Sequence, residues 1–363
     1  MKGKAAVFTG VGKPIEMWEL DVPEAGPGAA IVRIDMCTVC GSDVHTWLGH
    51  RHGDTPGILG HETMGRIVAL GEGLTHDILG RPLSIGDRVT YAMYASCGDC
   101  YYCRVAGLPQ KCVKLHKYGH GRCDVFPYWT GGFAEYLYLA PGTVIIKVPD
   151  DMKDEEITPI NCATSTVASG LDTIGVQPAE TAVVQGLGML GVTACAMLKD
   201  RGAGRVIAMD VDPVRLELAR RFGADETVRI TGQSPEELGE LIRAQTDGRG
   251  ANLVVEVSGN ARVVPAAVEM LAIGGRFLTL GLVSPGADAQ IDWWKVVFKC
   301  LTIRGVHNFA PRHLVQALDF VYRTRSRFPH AELVTHKLSL PETEKALELC
   351  RDRVALRAAV VPS

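Results

Sequence analysis

The feature that most constrains the fold is a glycine-rich turn at residues 186–191. These residues read Gly-Leu-Gly-Met-Leu-Gly, a G-x-G-x-x-G pattern. The apolar segment Thr181–Gln185 precedes the turn and predicts a strand, and Leu190–Arg201 predicts the helix that follows. Arg205–Asp210 predicts a second strand, and its last residue is an acid 19 positions after Gly191. A lone glycine pattern is a weak signal, but this order of elements is typical of a dinucleotide-binding βαβ unit.

The residues of this turn have distinct physical roles in such a unit. Gly186 permits the tight turn, Gly188 lets the backbone approach a pyrophosphate, and Gly191 lets the helix and strand pack closely. Met189 and Leu190 lie where the turn leads into the predicted helix, and unpaired backbone N–H groups at a helix N-terminus are available to phosphates. We therefore predict that all five residues bind a dinucleotide.

The acid at the end of the second strand, Asp210, predicts which dinucleotide binds. A carboxylate at this position accepts hydrogen bonds from both ribose hydroxyls and repels a 2′-phosphate. The predicted cofactor is therefore NAD rather than NADP. The alternative, a glycine-rich turn with a helix-capping aspartate, is disfavoured by the complete order of strand, turn, helix, strand and acid.

The two halves of the chain differ in their predicted secondary structure. Residues 1–150 contain short strand-like runs between turns, with one short helix predicted at Cys40–Trp47. From about residue 165 strands alternate with helices, which is typical of a doubly wound parallel sheet. We therefore predict an α/β fold with a Rossmann NAD-binding domain at 163–307 and a mainly β catalytic domain formed by 1–162 and 308–363. The other predicted elements of the second half are strands at Leu253–Val257, Arg276–Leu280 and Leu301–Val306 and helices at Pro213–Phe222, Ala261–Leu271, Arg312–Arg323 and Pro341–Arg351.

Composition excludes several classes of function. The chain has 363 residues, 47% hydrophobic and 22% charged, which is typical of a globular protein of two domains. Its net charge of -3 offers no basic field to nucleic acid. No apolar run reaches the roughly 18 residues of a membrane span, and the N-terminal segment lacks signal-peptide features. We expect a cytoplasmic protein with no membrane partner.

Four of the eleven cysteines are crowded together at Cys97, Cys100, Cys103 and Cys112. Four thiolates at such spacing can close a tetrahedral zinc shell, which leaves no position for a substrate. We therefore predict a structural zinc site. The alternative, a zinc ribbon that binds nucleic acid, is disfavoured because no interleaved basic and aromatic residues surround it.

A second, looser set of metal-ligating residues comprises Cys40, His61 and Cys162. They lie in the segments Cys-Gly-Ser-Asp, Gly-His-Glu and Asn-Cys-Ala-Thr. Two sulfurs and one imidazole leave a fourth position for water or an alcohol, as a catalytic zinc requires. From the residues alone, ordinary core side chains are the stronger interpretation.

Taken together and in this order, the segments resemble the medium-chain zinc-dependent alcohol dehydrogenases over essentially the whole chain. Gly57–Glu62 followed by Gly65, the Gly86–Val89 turn before the four cysteines, Gly132–Tyr136 and the dinucleotide turn carry the resemblance. It implies that the mainly β catalytic domain is GroES-like, with the four cysteines in a zinc lobe.

The resemblance also implies a set of residues around a catalytic zinc. Cys40, His61 and Cys162 would be its ligands, and Glu62 would lie behind it as a transient fourth ligand. Asp43 would support His61 or the zinc from outside the ligand shell. With the four-cysteine lobe, this gives two zinc ions per chain.

The remaining implied roles concern the proton and the cofactor. Ser42 would hydrogen-bond the alcohol oxygen, and His45 would pass the proton to solvent. The implied cofactor contacts are Arg215 at the adenosine ribose, Gly305, Val306 and Asn308 at the nicotinamide carboxamide, and Arg357 at the pyrophosphate.

The third zinc ligand departs from the family pattern, because the glycines common around it are missing near Cys162. In the polyol branch of the family an acid has this role, so Glu155 or Glu156 is an alternative ligand. The loop before Cys112 is also one residue longer than usual. The segments Asn161–Thr164 and Lys117–His120 resemble a bacterial subgroup that includes a hydroxycamphor dehydrogenase and phosphonate-associated members, which points to a secondary or cyclic alcohol.

The resemblance implies reversible hydride transfer from an alcohol to NAD, giving a ketone or aldehyde, in a homodimer or homotetramer. The alternatives are a polyol dehydrogenase, a zinc-free enone or quinone reductase, and a catalytically silent binding protein on this fold. We expect a substrate pocket lined by Met93, Tyr94, Phe133 and His307, with Trp47 and Trp129 as further candidates. We expect His50, His52, His116 and His120 to lie on the surface.

Overall fold

A computed structural model describes residues 1–362, which form two compact units. The first unit comprises Met1–Cys162, Ala310–Tyr322 and the chain from His330 onward, and the second comprises Ala163–Phe309 and Arg323–Pro329. The sequence placed 323–329 with the catalytic domain. In the structure Arg323 forms an ion pair with Asp200 at 3.1 Å, and Phe328 stacks on Phe222, so this segment belongs to the second unit.

The first unit is mainly β structure, as predicted. Its strands are β1 (Lys2–Phe8), β2 (Glu16–Asp21), β3 (Ala30–Thr38), β4 (Gly57–Ile58), β5 (Glu62–Leu70), β6 (Arg88–Ala95), β7 (His116–Lys117), β8 (Tyr136–Leu139), β9 (Thr143–Lys147), β16 (His336–Ser339) and β17 (Ala358–Val361). The longest sheet has the strand order β16-β17-β3-β5-β6-β7, with β8 paired to β3 and β9 paired to β6. A smaller sheet has the order β2-β1-β4.

Short helices connect these strands. They are α1 (Gly41–Trp47), α2 (Tyr101–Arg104), α3 (Asp154–Ile157) and α11 (Thr343–Arg351), with α10 (Pro311–Thr324) beginning in this unit. The register of β3 against β5 pairs Thr38 with Glu62, which brings the start of α1 close to the start of β5. This pairing positions the candidate metal ligands described below.

The core of the first unit includes three residues that the sequence placed in a substrate pocket. Trp129 and Phe133 have no exposed surface, and both pack with Trp47 in one hydrophobic cluster. The indole of Trp129 donates a hydrogen bond to the carbonyl of Asp21 at 2.9 Å. These aromatic side chains therefore stabilise the fold, and a role for them in lining a substrate pocket stays a prediction.

The second unit is a doubly wound parallel sheet. Its strands are β10 (Thr181–Gln185), β11 (Arg205–Asp210), β12 (Glu226–Arg229), β13 (Ala251–Glu256), β14 (Leu271–Thr279) and β15 (Thr302–Gly305). The strand order is β12-β11-β10-β13-β14-β15, which reverses direction beside β10. Ligands of such sheets bind where the order reverses, outside the carboxyl ends of the strands.

The helices of this unit are α4 (Ala163–Ile174), α5 (Met189–Asp200), α6 (Pro213–Arg221), α7 (Pro235–Ala244), α8 (Val264–Met270) and α9 (Trp293–Phe298). The sequence did not predict α4, α7, α9 or β12. A signal for α7 was present, because Ser234 and Glu237 form a capping box with Pro235 at the first helical position. The predicted combination of a doubly wound sheet and a mainly β unit is confirmed. No helix within residues 1–362 is both long and apolar enough to cross a membrane.

Candidate metal centre and dinucleotide turn

Four potential metal ligands from three parts of the first unit converge on one point. One ligand atom each from Cys40, His61, Glu62 and Cys162 lies within 4.8 Å of the others. Cys40 is the N-cap residue of α1, and Cys162 follows a 3₁₀ turn at 158–161. Glu62 begins β5, and His61 directly precedes it. Asn161 ties that turn to β5, since its Nδ2 donates to the carbonyl of His61 at 3.0 Å.

The imidazole of His61 is oriented by a buried carboxylate. Its Nδ1 lies 3.2 Å from Oδ1 of Asp43, and Asp43 also accepts hydrogen bonds from the backbone N–H groups of Cys40 and Gly60. The other ring nitrogen, Nε2, is buried and has no hydrogen-bond partner within residues 1–362. A buried nitrogen without a partner is costly, and a metal ion beside two sulfurs would satisfy it.

The two thiols of the cluster differ in their tendency to ionise. A hydrogen bond from Cys162 holds the pKa of Cys40 well below its usual range, although burial acts in the opposite direction. The thiolate is the form that binds metals. The donor set of thiolate, thiol and imidazole therefore fits zinc.

The carboxylate of Glu62 forms a buried ion pair with Arg357. Nε of Arg357 lies 3.1 Å from its Oε2, Nη2 of Arg357 lies 3.2 Å from its Oε1, and Thr38 donates to Oε2 at 2.8 Å. Burial raises the pKa of Glu62 to about 7, and Arg357 opposes this shift. The sequence did not indicate this ion pair. A contact between Arg357 and a pyrophosphate stays a prediction.

The alternative acidic ligands lie elsewhere. Glu155 forms an ion pair with Lys337, and Glu156 accepts a hydrogen bond from the backbone of Lys153 at 2.8 Å. Neither acid belongs to the ligand cluster found among residues 1–362, whereas Cys162 does. This arrangement favours Cys162 as the third protein ligand.

The two residues predicted to move a proton lie on α1. Ser42 is half-buried and His45 is exposed one turn further along the helix. Nδ1 of His45 lies 3.5 Å from Nδ1 of His50, so a second imidazole is available on the solvent side.

The four crowded cysteines form a second cluster in the same unit. Sulfur–sulfur distances are 3.5 Å for Cys100–Cys103, 3.4 Å for Cys97–Cys112 and 4.0 Å for Cys100–Cys112. Four sulfurs at the corners of a tetrahedral zinc shell with bonds of about 2.3 Å lie roughly 3.8 Å apart. The observed spacing therefore fits zinc and is far longer than a disulfide bond.

The glycine turn of the second unit has the steric properties predicted for it. Gly186 has φ of 92°, and a Cβ there would lie 2.6 Å from Cα of Ser258, which follows β13. A Cβ on Gly191 would lie 1.9 Å from the carbonyl oxygen of Gly186, so helix and strand touch. A Cβ on Gly188 would meet nothing within 4 Å, which leaves open space in front of the N-terminus of α5.

The other predicted cofactor residues lie at the carboxyl ends of β11 and β15. Oδ2 of Asp210 accepts from the N–H of Leu187 at 2.6 Å, so the acid also shapes the glycine turn. Arg215 lies one turn into α6, with Nε 3.7 Å from Oδ2 of Asp212. Val306 and Asn308 follow β15, where Asn308 has a left-handed φ of 59°. Their contacts with a cofactor stay predictions.

Two histidines predicted at the surface lie inward instead. Nε2 of His116 and Nε2 of His120 are both buried without a hydrogen-bond partner in the described chain, while His50 and His52 are exposed as expected. The ring of His120 stacks beside that of His61, with centroids 6.0 Å apart. No periodic pattern of buried residues could have indicated this, because β7 is only two residues long.

Comparison with known proteins agrees with this arrangement. Residues 26–150 match the family described as "Alcohol dehydrogenase GroES-like domain", and residues 190–323 match "Zinc-binding dehydrogenase". The chain is 34% identical to 5-exo-hydroxycamphor dehydrogenase of Pseudomonas putida over 95% of both chains. It is 30% identical to L-threonine 3-dehydrogenase of Sinorhizobium medicae over 92% of both chains. It superimposes on an alcohol dehydrogenase of Thermotoga maritima with a TM-score of 0.95, at 30% identity over 100% of both chains.

The chain belongs to the medium-chain zinc alcohol dehydrogenase family, and the family predicted from the sequence is confirmed. Its members named above are oxidoreductases that act on alcohol groups, and this class includes the present protein. The four-cysteine cluster is the zinc lobe of the fold.

Proposed function

We propose that the protein is a zinc-dependent alcohol dehydrogenase that transfers a hydride reversibly from a secondary or cyclic alcohol to NAD, giving the ketone. The observation that carries this proposal is the imidazole of His61, whose buried Nε2 has no hydrogen-bond partner among residues 1–362, in a cluster where ligand atoms of His61 and two cysteines lie within 4.8 Å of one another. The identity to a dehydrogenase named for hydroxycamphor supports the substrate class.

In this proposal Cys40, His61 and Cys162 hold the catalytic zinc, and Asp43 fixes the ring of His61. Zinc supplies Lewis-acid chemistry that lowers the pKa of an alcohol. Ser42 accepts the hydroxyl proton of the alcohol and passes it toward His45. Glu62, which is buried and paired with Arg357, lies behind these ligands and serves as the transient fourth ligand. The second zinc in the four-cysteine lobe is structural, giving two per chain.

The second unit would hold the NAD. The N–H groups at the start of α5, with Gly186, Gly188, Met189, Leu190 and Gly191, bind the pyrophosphate, where the space in front of Gly188 is open. Asp210 binds the ribose hydroxyls, and its charge disfavours a 2′-phosphate. Arg215 contacts the adenosine ribose, Val306 and Asn308 the nicotinamide carboxamide, and Arg357 the pyrophosphate.

The three alternatives that the sequence left open lose support. A polyol dehydrogenase with an acidic third ligand would use Glu155 or Glu156, which have other partners. In a zinc-free reductase or a catalytically silent binding protein, a buried carboxylate would not need to orient His61. Such a protein would also not need to leave Nε2 of His61 without a hydrogen-bond partner among residues 1–362.

We also propose that the protein is a homo-oligomer, a dimer or tetramer. Strand β15 is one edge of the parallel sheet. In α9, which precedes β15 in the chain, Trp293, Trp294, Val297 and Phe298 are between 62% and 75% exposed. An open strand edge with exposed large apolar side chains is a self-association surface.

The proposal is tested by metal analysis combined with an NAD reduction assay on a panel of primary, secondary and cyclic alcohols. We expect two zinc ions per chain and alcohol-dependent NADH formation, fastest with secondary alcohols. Fully active protein with one zinc ion or none would contradict the proposal, as would zinc-replete protein that oxidises no alcohol.

A further inference from the structure

Two cationic side chains near the candidate catalytic metal centre have no ion-pair partner among residues 1–362. The side chains of Lys117 and Arg51 are half-buried, and neither makes a hydrogen bond or ion pair within residues 1–362. The carboxylates at this centre are already paired, since Asp43 pairs with His61 and Glu62 with Arg357, and the thiolates of Cys40 and Cys162 would be neutralised by a zinc ion. Lys117 and Arg51 therefore add two positive charges that no acidic side chain within residues 1–362 neutralises.

The chain holds the segment that carries Lys117 firmly against the metal centre. Strand β7 pairs with β6, where Lys117 lies opposite Tyr94. Two residues later, a Cβ on Gly119 would lie 2.8 Å from the carbonyl oxygen of Gly60, the residue before His61. The next residue, His120, places its ring beside that of His61. This close packing fixes Lys117 near the ligands.

Electrostatics agree with this placement. Burial lowers the pKa of Lys117 to about 8, and repulsion by Arg51 lowers it further, whereas Cys162 and Cys40 act in the opposite direction. Arg51 lies just after α1, the helix that begins next to Cys40, and its backbone N–H donates to the carbonyl of His45 at 3.2 Å. Holding two like charges together in a partly buried place is unfavourable unless an anion joins them.

A third polar group is available at the same place. Nε2 of His120 is buried and has no hydrogen-bond partner in the described chain. Lysine, arginine and imidazole N–H groups are the donors that proteins use to bind carboxylates and phosphates. Their convergence beside a catalytic centre is what a substrate with a charged group requires.

We propose that the physiological substrate is an alcohol that also carries an anionic group, a carboxylate or a phosphate, bound by Lys117 and Arg51 with help from His120. This inference rests on the proposed dehydrogenase function and specifies its substrate class. It concerns recognition only, because none of the three residues is assigned to the chemical step.

The test compares pairs of secondary alcohols that differ in charge. 3-Hydroxybutanoate is compared with 3-hydroxybutanamide, and propane-1,2-diol 1-phosphate with propane-1,2-diol. We expect the zinc-loaded enzyme to prefer the charged member of at least one pair in kcat/KM, and the preferred pair distinguishes carboxylate from phosphate. In Lys117→Met the preference should fall about tenfold or more, the usual scale for a hydrogen bond to a charged group.

Three further variants sharpen this test. Arg51→Met should lower the preference as Lys117→Met does, and Lys117→Arg should restore most of it because the charge is kept. Lys13→Met, which removes an exposed lysine from a turn near residue 12, should leave kcat/KM for all four alcohols unchanged. No preference for charged alcohols in the unmodified enzyme, or the same preference in Lys117→Met, would overturn the proposal.

Binding of anions that cannot be oxidised separates this inference from the proposed function. By calorimetry, methyl phosphate or acetate should bind the zinc-loaded protein and bind about tenfold more weakly to Lys117→Met. If this loss is seen but no alcohol is oxidised, the anion site is supported and the dehydrogenase function fails. If Lys117→Met weakens NADH binding instead and leaves the alcohol preference intact, the cations serve the cofactor and the inference is wrong.

Discussion

Nδ1 of His61 lies 3.2 Å from Oδ1 of Asp43, and both side chains are completely buried. The same carboxylate accepts hydrogen bonds from the N–H groups of Cys40 and Gly60. One acid therefore orients the imidazole and also fixes the backbone beside two candidate zinc ligands. Such outer partners of metal-binding histidines set the ring orientation and raise ligand basicity.

Replacing Asp43 should lower the affinity for the catalytic zinc more than it lowers the free energy of unfolding. We expect Asp43→Asn to bind the catalytic zinc about 10- to 100-fold more weakly, because the amide cannot serve all three donors that the carboxylate serves. The measurement is zinc retained per chain against a graded chelator. Asp124→Asn, which removes a surface partner of Arg122, is the matched control and should retain zinc normally. Equal zinc retention in Asp43→Asn and the unmodified protein would contradict the proposed role.

The two cysteine clusters should respond differently to substitution. Cys162→Ala should lose one zinc ion and nearly all activity while the fold persists, whereas Cys103→Ser should lose the other zinc ion and lower the melting temperature. Elemental analysis, activity and thermal unfolding of each variant check this. Glu155→Ala and the exposed-thiol variant Cys300→Ser are controls that should keep both zinc ions. A Cys162→Ala enzyme with full zinc and normal turnover would indicate a different third ligand.

Cofactor preference tests the role of Asp210. We expect NAD to be favoured over NADP by at least about a hundredfold in kcat/KM, which requires roughly 2.7 kcal/mol of discrimination. Repulsion of the 2′-phosphate and loss of ribose hydrogen bonds can supply this. Asp210→Asn should narrow the ratio, although some loss with NAD is also expected because Oδ2 of Asp210 holds the N–H of Leu187. Equal efficiency with both cofactors in the unmodified enzyme would show that Asp210 does not select the ribose.

Two glycines of one turn provide a matched pair. Gly191→Ala should lower the free energy of unfolding by about 1–3 kcal/mol, because its methyl group would lie 1.9 Å from the carbonyl oxygen of Gly186 and push α5 from the sheet. Gly188→Ala should leave stability unchanged, since nothing lies within 4 Å, but should weaken NADH binding by filling the space before the helix N-terminus. Denaturant unfolding and fluorescence titration with NADH measure the two effects. The reverse assignment of effects would show that the turn does not hold the pyrophosphate.

The proton path predicts different results for two residues on α1. Ser42→Ala should lower turnover about a hundredfold or more, the scale of a positioned proton transfer. His45→Gln should lower it less, because water or the neighbouring His50 can substitute on the exposed side. Oxidation rates are measured against pH with and without imidazole buffer. We expect imidazole to rescue His45→Gln and the double variant His45→Gln/His50→Gln but not Ser42→Ala. An unchanged pH profile and no buffer response in the double variant would mean that the proton leaves by another route.

The sequence by itself determined the parts of this protein that are built from one continuous segment. The glycine turn with its flanking strands, and the four cysteines of residues 97–112, bring their functional groups together through local backbone geometry. Spacing alone therefore identified them, and the alternation of strands and helices identified the parallel sheet.

Only the tertiary structure decided which distant residues meet. Glu62 and Arg357 are 295 positions apart and form a buried ion pair, and Cys162 joins Cys40 because a short turn is tied to β5 through Asn161. The ring of His120 lies beside that of His61 in a segment where Gly119 packs on Gly60, and Lys117 lies in the same segment. These contacts depend on strand register and close packing between remote segments, and a linear pattern of residue types carries no information about either.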